Sequence, residues 1–159
     1  MEKAAILTDY EQNPLACAIK EKLNGIVIAD ICNPIKFNPD DYNFIVDTTH
    51  NKKYPYNVIT SHLSLLPSFD TDEPVKDAFL AGIKVTGITV LYTNPQKILA
   101  QYPVFIYNDA HYDDLENELA CIEQYMFPAV VEKIIKNEPF EIQSLMNKGR
   151  CGGCKGCGK

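Results

Sequence analysis

Residues 3–31, KAAILTDYEQNPLACAIKEKLNGIVIADI, decide the fold class. Residues 3–8 are a short apolar run between polar neighbours, the pattern of a buried strand. From Pro14 to Leu23 the apolar side chains Leu15, Ile19 and Leu23 fall four apart, with Ala16 beside them and Lys20, Glu21 and Lys22 on the outside. That spacing predicts an amphipathic helix, and Pro14 is acceptable in its first turn, where no N–H is needed. Asn24-Gly25 ends the helix, and residues 26–31 (IVIADI) read as a second buried strand. Strand, helix and strand in this order predict a βαβ-like start.

The alternation continues outward. Residues 43–48 (NFIVDT) and 57–60 (NVIT) read as strands, separated by polar loops that carry Pro34, Pro39 and Pro55. Residues 73–81 predict a short helix with Val75, Ala78 and Phe79 on one face, closed by Gly82. Residues 84–93 (KVTGITVLYT) are rich in β-branched side chains. Residues 101–107 (QYPVFIY) are strand-like, with Pro103 placing them at a sheet edge or leaving them irregular. Asp113 or Asp114 then caps a long helix in which Leu115, Leu119, Ile122, Met126, Val130 and Ile134 keep helical spacing, with a kink expected at Pro128. Strands alternating with helices and buried on both faces favour an open α/β sheet.

Composition fits one soluble domain. The chain has 159 residues, 46% hydrophobic and 23% charged, close to the globular average. A net charge of −6 with no clustered basic face argues against a nucleic-acid partner. The apolar run of residues 4–7 is too short for a signal peptide, and no later stretch approaches the length of a membrane span, so a cytoplasmic protein with no membrane partner is expected. Six cysteines in that compartment are expected to be thiols or metal ligands, not structural disulfides.

The middle of the chain carries a resemblance. Residues 60–69 (TSHLSLLPSF), followed by Ala81-Gly82-Ile83-Lys84-Val85-Thr86-Gly87-Ile88-Thr89-Val90, resemble the glycinamide ribonucleotide formyltransferases, folate-dependent enzymes of purine biosynthesis. Downstream, Ile98-Leu99-Ala100-Gln101 with Val104 is similar to the family's strand after its active-site loop. Glu123-Gln124-Tyr125-Met126-Phe127-Pro128 looks like its closing helix. The resemblance runs from about residue 57 to residue 135 and implies a shortened, divergent member. It further implies an open, mostly parallel sheet of the formyltransferase (Rossmann-like) type, and transfer of formyl from 10-formyltetrahydrofolate to an amine such as glycinamide ribonucleotide.

Formyl transfer needs hydrogen-bond donors for a tetrahedral oxyanion and a group to take the proton of the attacking amine. The family uses an Asn, a His two residues later and an Asp on a separate loop. His62 stands at the His position and Thr60 at the Asn position, which makes these two the candidate catalytic residues; a hydroxyl offers one donor where an amide offers two. The family's Asp-x-Gly loop is absent, since residues 91–97 read LYTNPQK; by sequence, Asp70 and Asp72 are the nearest carboxylates. The Gly-rich phosphate turn is replaced by residues 9–14, DYEQNP, with no glycine, two acids and a proline. After the third strand, Asp47-Thr48-Thr49-His50-Asn51 stands where the family reads Ala-Gly-Tyr-Met-Arg-like, and the following helix is missing. For His62 the competing expectation is a buried histidine bonded to a backbone carbonyl. Ser61 and Ser64 beside it do not make a hydrolase, because no Gly-x-Ser-x-Gly elbow is present. His50 and His111 are expected on the surface, and the acids Asp109, Asp113, Asp114, Glu116 and Glu118 at a charged helix start.

Residues 150–159, RCGGCKGCGK, space Cys151, Cys154 and Cys157 three apart. A C-x-x-C-x-x-C run fits three corners of an iron–sulfur cluster, and its C-x-x-C units also fit zinc. A fourth ligand would come from Cys17, Cys32, Cys121, a histidine, a second chain or an exogenous group. A flexible tail of thiols fits the glycines as well. The expected organisation is a formyltransferase-like α/β domain over residues 1–147 and a metal-binding tail over residues 148–159. Two functions follow: a formyltransferase acting on a small-molecule substrate, or a non-catalytic regulatory or ligand-binding protein with a metal-responsive tail.

Overall fold

The computed structural model describes residues 1–147, so Cys151, Cys154 and Cys157 lie outside the described residues. The elements are β1 (Lys3–Leu7), α1 (Pro14–Leu23), β2 (Ile28–Cys32), β3 (Phe44–Asp47), β4 (Ile59–His62), α2 (Pro74–Leu80), β5 (Val85–Thr93), β6 (Gln96–Phe105), α3 (Tyr112–Ile135) and α4 (Ile142–Asn147). A single sheet runs in the order β2-β1-β3-β4-β5-β6. Strands β2, β1, β3 and β4 pair in parallel, and β5 and β6 complete the sheet antiparallel.

Local chemistry sets the first unit. The Asn13 side-chain oxygen accepts from Leu15 N at 2.9 Å and Ala16 N at 3.1 Å, and Pro14 occupies the first helical position. Leu15, Ala16, Ile19 and Leu23 form the buried stripe of α1. All four helices contribute to one core: Ile19, Ala78, Met126, Phe127 and Leu145 pack with Ile6, Val46, Ile88 and Val90 of the strands.

The opposite face of the sheet is buried as expected, but not by helices. There Ala5, Leu7, Ile45 and Val58 are covered by Phe37, Tyr42, Tyr54 and Tyr56, which sit on connections and not on helices. Tyr54 and Tyr56 stack at 5.3 Å between ring centroids, and Phe37 meets Tyr56 edge-on at 5.7 Å. The β2–β3 and β3–β4 connections carry no α-helix, so aromatic side chains bury this face instead.

Four strands start one or two residues later than the sequence reading placed them, β2 at Ile28, β3 at Phe44, β4 at Ile59 and β5 at Val85; β6 starts earlier, at Gln96. Asn94-Pro95 alone joins β5 to β6 as a tight hairpin, and Pro103 sits on the edge strand, where proline is tolerated. Gly87 on β5 permits the next layer, because a Cβ there would run into the backbone carbonyl of Tyr102 and lie 2.6 Å from Leu65 Cδ2. The segment after β4 therefore folds back against β5. Leu66 N donates to Thr89 Oγ1, and Gln101 Nε2 donates to the Leu66 carbonyl.

Candidate active site

A cleft of about 520 Å³ opens at the carboxyl ends of β3 and β4, the end of the sheet where α/β folds place ligands. Its walls are the loop 49–53, His62 and Leu63, the start of α2, and Tyr112 and Glu116 of α3.

Asp47, the last residue of β3, organises the loop. It is fully buried, and its carboxylate accepts from Thr49 N and Oγ1, Asn51 N, Tyr54 Oη and Thr60 Oγ1 at 2.7–3.2 Å. Burial pushes its carboxyl above the ordinary aspartate range, against the opposing pull of the bonds from Thr49, Thr60 and Tyr54. The chain wrapped around it puts His50 in the left-handed backbone region, φ 60°. For a residue with a Cβ that conformation costs about 1–2 kcal/mol.

His50 is not simply a surface residue. Its Nε2 lies 2.7 Å from Oε1 of Glu123, and 40% of its side chain is exposed. Glu123 is buried on α3, and the same oxygen accepts from Ser61 Oγ at 3.0 Å. Both Ser61 and His50 thus bind one carboxylate, which is not the relay of a serine nucleophile. Burial alone would lower the His50 pKa, but the bond to Glu123 and the charges of Glu123 and Asp47 outweigh it and raise the value.

His62 ends β4, is 3% exposed and lines the cleft, while its Nε2 bonds the Phe69 carbonyl at 3.0 Å. Burial holds its pKa below the ordinary histidine value; Lys52 adds to the depression and the Phe69 carbonyl opposes it. Thr60, two residues earlier on the same strand face, is buried and donates to Asp47. Among the described residues no carboxylate hydrogen-bonds His62. Asp70 pairs with Lys52, which lowers the Asp70 pKa, and Asp72 lines the cleft. His111 is exposed at the start of α3, as expected.

Two stretches where the resemblance implied a departure have a structural form. The amides that would face a phosphate at the start of α1 are taken by Asn13, and Pro14 offers none. The β5–β6 hairpin leaves no room for an acid-bearing loop; Asn94 is tied to Asn57 and Pro55 beside the start of β4. Among the described residues no group of three or more His, Cys, Asp or Glu could hold a metal, and Cys17, Cys32 and Cys121 are free thiols. No described helix is long and apolar enough to cross a membrane.

Residues 42–131 match the family Formyl transferase, and this span covers β3, β4, β5, β6 and most of α3. The chain belongs to the formyl transferase family. A phosphoribosylglycinamide formyltransferase of Bacillus subtilis (strain 168) is 32% identical over 100 residues, 59% of this chain and 50% of the relative. A methionyl-tRNA formyltransferase of Halalkalibacterium halodurans is 33% identical over 91 residues, 54% of this chain and 29% of the relative. The chain thus spans half or less of the length of these curated relatives. Among solved structures, the phosphoribosylglycinamide formyltransferase of Campylobacter jejuni superposes with a TM-score of 0.65 at 19% identity, over 84% of this chain and 97% of that one. That of Bacillus halodurans gives 0.63 at 19% identity, over 84% and 95%. These likenesses establish the formyl transferase fold, a single α/β domain with a mostly parallel sheet.

The resemblance drew attention to His62 and Thr60, and the pairing of His50 with Glu123 was missed. One signal was present: Glu123 falls four residues after Leu119 on the apolar stripe of α3, where a charge must find a partner.

Proposed function

We propose that this chain transfers a formyl group from 10-formyltetrahydrofolate to a small amine, with the chemistry in the cleft beside His62. The observation that carries this reading is the place of His62. By the resemblance it stands at the family's histidine position, and in the structure it ends β4 and lines the cleft.

The cleft suits a folate in size, since ligand sites run from about 300 to 1,000 Å³. Lys53 and Lys76 on its walls offer charge to the donor's carboxylates, and Leu63, Pro74, Val75 and Tyr112 offer apolar wall. When bound, the donor supplies an electrophilic formyl carbon. His62, whose pKa burial lowers, contributes a hydrogen-bonding ring at the cleft wall. Thr60 acts at one remove, holding Asp47 and through it the loop that carries His50. With the start of α1 capped by Asn13, the acceptor is recognised by its amine and not by a phosphate at that helix.

The test is transfer of labelled formyl from 10-formyltetrahydrofolate to glycinamide ribonucleotide and to glycinamide, with His62→Ala alongside. Transfer is expected to both amines, falling about 10²-fold or more in the variant. No transfer to either amine would overturn the reading.

The tail motif supports a second assignment, a regulatory role in which Cys151, Cys154 and Cys157 hold an iron–sulfur cluster or zinc, with the fourth ligand from a partner or second chain. Metal analysis and visible absorption after anaerobic purification test it. Metal lost on Cys154→Ser supports the assignment, and a metal-free protein removes it.

A further inference from the structure

We infer that His50, positioned by Glu123, is the catalytic residue that moves the proton during formyl transfer. This rests on the formyl-transfer reading above. Three observations carry it, beginning with the place of the ring: His50 lines the same cleft as His62, and 40% of its side chain is exposed.

The second is the partner. With Nε2–H donated to Glu123 Oε1 at 2.7 Å, the neutral ring keeps the Nδ1 lone pair, and no described residue bonds that atom. This is the arrangement in which a buried carboxylate fixes the tautomer of an imidazole and stabilises its cation. The third is the effort made to hold the ring there. Asp47 accepts five hydrogen bonds, four from the loop and one from Thr60 on β4, and His50 takes a left-handed backbone that a residue with a Cβ ordinarily avoids. His62 has its Nε2 on a backbone carbonyl and no carboxylate behind it.

The step balances without a redox partner. A bond forms between the amine nitrogen and the formyl carbon, and the bond from that carbon to N10 of the donor breaks. One proton leaves the amine nitrogen and reaches N10. His50 Nδ1 takes that proton and returns it, while Glu123 stays ionised.

The charged groups around His50 leave Glu123 in control. From α3 come Glu123 and, on the cleft wall, Glu116; β3 brings Asp47 and β4 brings His62. Lys52 of its own loop pairs with Asp70, and at α2 Lys76 pairs with Glu73; Lys53 and Asp72 complete the cleft wall. Removing the Glu123 charge therefore lowers the His50 pKa.

The experiment compares wild type, His50→Asn and Glu123→Gln in kcat and KM against pH, using 10-formyltetrahydrofolate with glycinamide ribonucleotide and with glycinamide. NMR titration of the His50 ring runs in parallel. Asparagine is chosen because it tolerates left-handed backbone. The expected result is a fall in kcat of about 10²–10⁴-fold in His50→Asn with KM little changed. In Glu123→Gln the acidic limb of kcat/KM and the ring titration both move to lower pH. Wild-type kcat in His50→Asn would overturn this inference and leave formyl transfer standing. Absence of turnover in wild type would overturn both. A ring that titrates at the same pH in wild type and Glu123→Gln would refute the pairing whether or not turnover is seen.

Discussion

Thr86 sits on β5 with 1% of its surface exposed, and its Oγ1 has no hydrogen-bond partner among the described residues. A buried hydroxyl left unsatisfied costs about 1–3 kcal/mol, whereas a methyl of the same shape costs nothing in desolvation. Thr86→Val should therefore raise the urea midpoint, by about 1 kcal/mol of stability on the lower side of that range. An unchanged or lower midpoint would mean that the hydroxyl is satisfied in solution. Asp47 is the opposite case, a buried carboxylate with five donated bonds. At this scale the sequence displays residue types but not their partners. Thr60 and His62 were legible as candidates from their place in a motif, and a buried His62 bonded to a backbone carbonyl was the competing expectation; the bond from Thr60 to Asp47 and the identity of Phe69 as the carbonyl's owner were not legible.

Among the elements, α1 was read with its bounds intact, because its signals are local: Pro14 at the first position, apolar spacing of four, and Asn24-Gly25 at the end. Asn13→Ala should cost about 1 kcal/mol by urea denaturation. It should also free the Leu15 and Ala16 amides, so that inorganic phosphate stabilises the variant more than the wild type in thermal melts. Equal stabilisation would mean that the cap does not block that helix start. The strands were placed within a few residues at their starts, since apolar runs do not mark where pairing begins. The extension of β6 back to Gln96 was hidden because its partner, β5, lies across a hairpin whose tightness is a matter of pairing. The loop 48–58 was correctly read as lacking a helix, but its new task, to cover one sheet face with tyrosines and to project His50 into the cleft, depends on the sheet beneath it.

For the molecule as a whole, the two cleft histidines pull stability in opposite directions with pH. The folded pKa of His62 lies below its ordinary 6.5, so its contribution is present above about pH 6.5 and is lost as pH falls through the folded value. His50 lies above 6.5 when folded, so its contribution is present below that pH and is lost as pH rises through the folded value. The urea midpoint of wild type should fall on acidification below about pH 6.5 less steeply in His62→Gln, and on the neutral to alkaline side less steeply in His50→Asn. Parallel curves for wild type and both variants would show that neither ring is linked to folding.

The sequence by itself determined the α/β class, the βαβ start and the family, because these rest on local spacing and on a motif continuous in the chain; that the proline-bearing run is an edge strand and not an irregular one was decided by the sheet order. The sequence also marked, through the resemblance, residues 9–14 and 91–97 as departures from the family's phosphate turn and acid-bearing loop, each a matter of one short stretch. Only the tertiary structure decided that the helices share one face and that Asp47 ties Thr60 to the loop of His50. It alone brought Glu123, 73 residues further along the chain, to within hydrogen-bond distance of that histidine. A hydrogen bond between distant residues follows from how a sheet and a helix pack, and no periodicity along the chain records it.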